Sequence, residues 1–132
     1  MADTMQFDLV SPERRLASLE AQQVQLPGAD GQMTAMPNHA PVITSLRPGI
    51  VTVTGADGQT ARYAVTGGFA ELSPEGAIVL AERAYKSGSE NRDEIEAALE
   101  EARTAAQKAP AEQKDAAELF VADLAQLMDD MV

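Results

Sequence analysis

His39 is the only histidine in this chain of 132 residues, and there is no cysteine. A serine triad needs an imidazole to take the nucleophile's proton, so every such scheme must run through His39. It sits in PGADGQMTAMPNHAP (residues 27–41), between Pro37 and Pro41, with no second histidine and no acid at helical spacing. A metal site needs several ligands, and a nucleophile elbow needs G-x-S-x-G; neither pattern is present. Carboxylates do come in pairs: Asp93/Glu94, Glu100/Glu101 and Asp129/Asp130. Without the D-x-[DN]-x-[DN]-G loop of a calcium site, such pairs read as the solvated faces of helices. No G-x-x-x-x-G-K-[ST] run is present, and Gly67-Gly68 leads into a strand-like segment rather than a helix. The residues describe a non-catalytic module, with no metal and no cofactor, in which His39 is a turn or contact residue.

The elements that hold these residues fall into two regions. Net charge is −11, which disfavours nucleic acid as a partner. Residues 1–85 carry five basic side chains against nine acidic ones, and residues 86–132 carry five against twelve. In the first region, strand-length apolar runs at 7–10, 22–26, 42–46, 50–54, 62–65 and 77–80 alternate with Pro and Gly turns about ten residues apart, the spacing of an antiparallel sandwich or barrel. Residues 50–65 predict a hairpin: Val51 and Val53 alternate with threonines, Asp57-Gly58 turns the chain, and Ala61, Tyr63 and Val65 alternate back. The pentapeptide GADGQ occurs at 28–32 and again at 55–59. Both copies read as turn chemistry rather than as a duplicated unit.

After residue 86 the period changes. Ile95, Ala98, Leu99, Ala102 and Ala106 share one helical face, and Asn91 with Glu94 resembles a capping box. Pro110 ends this helix, and a second one follows with Ala116, Leu119, Phe120, Leu124, Leu127, Met128 and Met131 on its apolar side. The short connection predicts an antiparallel helical hairpin. Its alanine-rich seam buries little area, so the expectation is a marginally docked, mobile pair. The opening MADTMQFDLV has no basic n-region, and no apolar window is long enough to span a bilayer.

Several segments in order resemble the ε subunit of the bacterial F-type ATP synthase. These are FDLVSPE at 7–13, LPGADG at 26–31 running to PNHAP at 37–41, LRPG at 46–49, VTGGFAE at 65–71 and VLAE at 79–82. The resemblance implies a flattened β-sandwich of about ten strands over residues 1–86 and a helical hairpin over 87–132. It also implies a non-catalytic rotor-stalk subunit. The γ subunit would bind the sandwich, and polar loops of the membrane rotor ring would meet the loop at 31–39. Gln32, Met36 and His39 are then the ring-contact candidates. The place implied is the cytoplasmic face of the bacterial inner membrane, peripheral and without insertion, with the catalytic α/β subunits within reach of the hairpin.

The hairpin departs from the family twice. Where many members carry I/L-D-x-x-R-A, linked to ATP binding, this chain has Ile95-Glu96-Ala97-Ala98-Leu99-Glu100. With Glu96 for Asp and Leu99 for Arg, a phosphate loses its bidentate partner, which argues against ATP sensing. Members that inhibit hydrolysis use basic residues in the extended helices. Here residues 111–132 carry only Lys114 against six acids, and the expectation is a weak inhibitor or none. A free-standing ligand-binding sandwich with a helical lid is the alternative, although the sequence marks no pocket for it.

Overall fold

The computed structural model describes residues 3–131, so the outermost residues of both predicted ranges (1, 2 and 132) lie outside it. Nine strands form one sheet folded onto itself: β1 (Met5–Val10), β2 (Arg15–Gly28), β3 (Gly31–Ala35), β4 (Val42–Leu46), β5 (Gly49–Gly55), β6 (Thr60–Val65), β7 (Gly68–Leu72), β8 (Gly76–Ala81) and β9 (Ala84–Lys86). The 14-residue β2 serves both layers. Its first half pairs with β1, and its second half pairs with β3 and β5 and touches β4 at Gly28–Leu46. The register slips between Ala21 and Gln23, and such a bulge bends a strand from one layer toward the other. Pairing is antiparallel throughout except for β1 on β8, which run parallel.

The core between the layers is aliphatic. Phe7, Leu9, Val24, Leu26, Val51, Val53, Val65, Leu72 and Val79 are buried within it. The predicted 50–65 hairpin forms as β5 and β6, with Val51 opposite Tyr63 and Val53 opposite Ala61. Its tip shows why Asp-Gly stands there. Asp57 accepts from the Gln59 amide at 3.0 Å, and Gly58 takes a φ of 83°, which L side chains rarely adopt. Gly31 takes a positive φ at the β2–β3 tip, so the two GADGQ copies are two turns.

A 3-10 turn (Ser89–Asn91) leads into α1 (Arg92–Lys108), and after Ala109 and Pro110 the chain reverses into α2 (Ala111–Asp130). Ile95, Ala98, Leu99, Ala102 and Ala106 form the buried face of α1, as their spacing predicts. The capping box does not form. The 3-10 turn holds Asn91 at φ −108°, ψ 3°, outside the extended region a capping side chain needs, and its amide donates to the Lys86 carbonyl at 2.8 Å. The apolar side of α2 is buried only toward its C-terminal end, at Leu124, Leu127 and Met131. Ala116, Leu119 and Phe120 are exposed, contrary to expectation. The reason is spacing: α2 meets the sandwich chiefly at β5, and Ala116, Leu119 and Phe120 stand across an open groove from Leu46, Pro48, Thr66 and Gly67 instead of packing on them.

Ile50, Ala64 and Tyr85 of the sandwich pack against this helical cluster. Lys114 closes the hairpin by donating to the Ala106 carbonyl at 3.3 Å, near the negative end of α1. No helix among the described residues is long and apolar enough to cross a membrane.

Candidate interaction surface

Strand β8 is apolar on both faces, and β7 adds Phe69 beside Glu71 on the outer one. Ala70, Leu72, Ala77, Val79 and Ala81 point into the core, while Phe69, Ile78 and Leu80 point outward. Register places Phe69 between Ser45 of β4 and Leu80 of β8, and Glu71 between Ile43 and Ile78. Ile43 is 75% exposed, Phe69 55% and Leu80 52%. A depression of about 360 Å³ runs along this face, lined by Val10, Pro12, Gly68, Phe69, Leu80 and Glu82. Contiguous exposed apolar surface of this kind marks an interaction site. The sequence carried a signal for it. The unbroken apolar run AIVLA at 77–81 is the pattern of a strand covered on both faces, yet only one face has protein over it.

The three ring-contact candidates do not converge on one spot. Gln32 stands near the β2–β3 tip and Met36 just past the end of β3, ~13 Å farther along at the rise of an extended strand. Both are exposed, and His39 is half-buried. The intervening Pro37-Asn38 turn uses a φ of 66° at Asn38, whose amide donates to the Pro74 carbonyl in the β7–β8 turn at 3.2 Å. The imidazole Nδ1 of His39 lies 2.6 Å from the carbonyl of its neighbour Ala40. Among the described residues no cluster of His, Asp and Glu could hold a metal.

Ile95 and Leu99 are buried in the hairpin core, while Glu96 faces solvent. A cavity of about 270 Å³ does lie between hairpin and sheet, lined by Thr66, Glu82, Arg83, Ala98, Glu101, Ala102, Ala105 and Phe120. None of the three motif positions lines it. Arg83 faces Glu101 across it at 3.5 Å, and the buried Thr66 hydroxyl has no protein partner.

A sandwich with one apolar face and an extended loop open to solvent, and with a helical pair docked on another side, is an interaction module. Comparison with known proteins agrees in kind. Residues 4–87 match the family described as ATP synthase, Delta/Epsilon chain, beta-sandwich domain. An ATP synthase epsilon chain from Ruegeria sp. (strain TM1040) is 54% identical over 132 residues, covering 99% of this chain and 93% of that one. One from Rhodobacter capsulatus is 58% identical over 129 residues, covering 94% and 93%. The chain belongs to the ATP synthase delta/epsilon family. Its fold is similar to a chain in the mitochondrial ATP synthase of Euglena gracilis, with a TM-score of 0.73 at 19% identity over 96% of this chain and 80% of that one.

Proposed function

We propose that this chain is a non-catalytic central-stalk subunit of an F-type ATP synthase, coupling rotation of the membrane ring and the γ subunit to ATP synthesis. The carrying observation is the outward face of β4, β7 and β8. In this reading the γ subunit covers Ile43, Phe69, Ile78 and Leu80. Burying a side chain of this size contributes about 1.5–3 kcal/mol toward the cost of association. Gln32, Met36 and His39, spread along the exposed edge strand β3 and its loop, meet successive polar loops of the rotor ring on the cytoplasmic side of the bacterial inner membrane. Transmission of torque needs a stiff body, which a close-packed aliphatic sandwich supplies.

The division of labour follows residues 1–86 and 87–132, the first part binding the rotor and the second regulating weakly. The acidic surface of α2 discourages docking on acidic loops of the catalytic α/β subunits, and Lys114, its single base, is turned toward the α1 terminus. The test is affinity for purified γ. Ile43→Ser combined with Phe69→Ser should weaken binding by at least about tenfold, as loss of central apolar contacts does. Unchanged affinity would place γ elsewhere.

A further inference from the structure

Arg14, Arg15 and Lys86 border one hollow of about 280 Å³, which Leu16, Glu90 and Asn91 complete. In a chain of net charge −11 this is a local reversal of sign. All three cations are exposed, and among the described residues none of them pairs with a carboxylate. Glu90, the one acid in the lining, lies over Gly88 instead, where an added Cβ would come within 2.7 Å of its Oε2. Glu13 and Glu82 border a narrower cleft that shares Arg14, and Arg83 accompanies them there. Backbone structure sets the cations in place. The Ser11 amide donates to the Arg14 carbonyl at 2.9 Å and the Arg14 amide to the Ser11 carbonyl at 3.2 Å, closing the β1–β2 turn. Strict alternation would put Arg15 on the core side with Ala17. The register slips between Leu9 and Val10, so Leu16 packs on the core and Arg15 is left in solvent. On the other wall the Asn91 side-chain amide donates to the Lys86 carbonyl at 2.8 Å.

We propose that this hollow is an oxyanion site that takes inorganic phosphate between the two guanidinium groups and the Lys86 ammonium. Arginine presents N–H donors in a fork that matches two oxygens of a tetrahedral anion, and lysine adds a point charge. Three cations against the single Glu90 carboxylate leave an excess of two positive charges, which balances a hydrogen phosphate dianion. The volume suits one small anion with its bridging waters rather than an extended acidic segment. Position separates free phosphate from a lipid headgroup. The Asn38 amide bonds to the Pro74 carbonyl, so the loop at 31–39 lies by the start of β8, whereas Val10 pairs with Leu80 near its end, beside the β1–β2 turn and β9. The six residues of β8 span ~20 Å at the rise of a strand. With the 31–39 loop toward the membrane, as proposed above, the hollow stands at the end away from lipid. That choice of source rests on the rotor-stalk reading, and the site itself does not. Neither Ile95, Glu96 nor Leu99 lines it.

The test titrates the isotope-labelled full chain with sodium phosphate at constant ionic strength, with chloride as the control, and follows backbone amide NMR shifts. Saturable shifts are expected at Arg14, Arg15, Leu16, Lys86 and Asn91 with phosphate and not with chloride. Arg14→Gln with Arg15→Gln should keep the fold by circular dichroism and weaken phosphate binding at least about tenfold, as loss of charge-assisted hydrogen bonds does. Lys86→Gln, on the opposite wall, repeats the test without touching β2 and should weaken binding in the same direction. Shifts that are absent, that never saturate or that survive in the variants would overturn the site. A second arm offers vesicles of phosphatidylcholine with phosphatidylglycerol, and wild type and double variant should sediment with them equally little. Vesicle binding that the double variant loses would assign the cations to a headgroup and overturn the free-phosphate reading. Phe69→Ser should bind phosphate like the wild type while losing affinity for γ. The titration needs no γ, so the phosphate site and the rotor-stalk reading can fail separately.

Discussion

Arg47, in the turn between β4 and β5, donates from Nε and Nη2 to the two carboxylate oxygens of Asp123 in α2, at 2.9 and 2.6 Å. Planar pairing of this kind fixes orientation as well as distance. Asp123 lies one helical turn beyond Leu119 and Phe120, so the fork sets which face of α2 meets the sandwich. The partners are unequally covered, the carboxylate side chain 14% exposed and the guanidinium 42%.

That inequality predicts an asymmetry. Arg47→Ala strands a largely covered carboxylate, whereas Asp123→Ala frees a guanidinium that water already reaches. Hydrogen exchange of the α1 and α2 amides should therefore quicken more in Arg47→Ala than in Asp123→Ala, with the inner strands unchanged in both. The Asp123 hydrogen bonds raise the Arg47 pKa above its ordinary value. The guanidinium's share of the pair is complete below that ordinary value and is lost as pH rises through the raised one, so mild alkali should not open the clamp.

Two glycines with positive φ should respond very differently to alanine. At Gly58 a Cβ would meet nothing within 4 Å, and only the strained backbone, about 1 kcal/mol, stands against it. At Gly68 a Cβ would lie 2.1 Å from the Leu80 carbonyl oxygen and 2.9 Å from the Ala81 Cα. Backbone cannot yield there without breaking the β7–β8 pairing. Gly68→Ala should cost at least about 3 kcal/mol in urea unfolding, among the largest effects of a single substitution. A smaller loss at Gly68 than at Gly58 would contradict the register given for these strands.

How legible this was depended on what each segment leaned on. The 50–65 hairpin could be read because alternation and turn chemistry agree locally. The first half of β2, Arg15 to Ala21, could not: Leu, Ala and Glu favour helix, and the segment is extended because β1 pairs along it. Strand β3 carries too little apolar alternation to announce itself, with only Ala35 fully buried. The face of α1 was readable from its period alone. For α2 the same period overstated burial, because periodicity marks an apolar side and cannot say how closely the neighbouring sheet approaches it. The sheet-face residues were missed by a search for chemistry, since a docking surface needs no reactive group.

Tyr85 offers a pH test of the seam between sandwich and hairpin. Burial, then the nearby Glu94 charge, raises its phenol above the ordinary value of 10.0. The folded state therefore favours the neutral ring. The associated stability is complete below the unfolded value and is lost as pH rises through the folded one. The difference in phenolate absorbance between wild type and Tyr85→Phe should titrate above pH 10, and the variant should lose less stability in alkali. Coincident alkaline unfolding of the two proteins would remove Tyr85 from the seam's energetics.

His39→Ala should leave the isolated protein folded. Among the described residues its ring meets no hydrogen-bond partner but the adjacent carbonyl, and surface replacements of this kind shift stability by less than about 0.5 kcal/mol. Thermal unfolding by circular dichroism gives the comparison. A collapsed fold would make His39 a core residue and would end its candidacy for contact with the ring.

Removal of residues after Ser87 bears on regulation. The core between the layers contains no hairpin residue and stays packed without it, while Ile50, Ala64 and Tyr85 lose the helices that cover them. Reconstituted with the other subunits, the shortened chain should give no large rise in ATP hydrolysis; a large rise would identify the hairpin as the brake.

The central claim is the rotor-stalk role, and capture from the membrane tests it most directly. Tagged full-length chain, recovered from gently solubilised membranes of its own source, should bring γ with it, together with the catalytic α/β subunits. Ile43→Ser with Phe69→Ser should recover much less of all three. Recovery of the folded wild-type chain without γ would contradict the account.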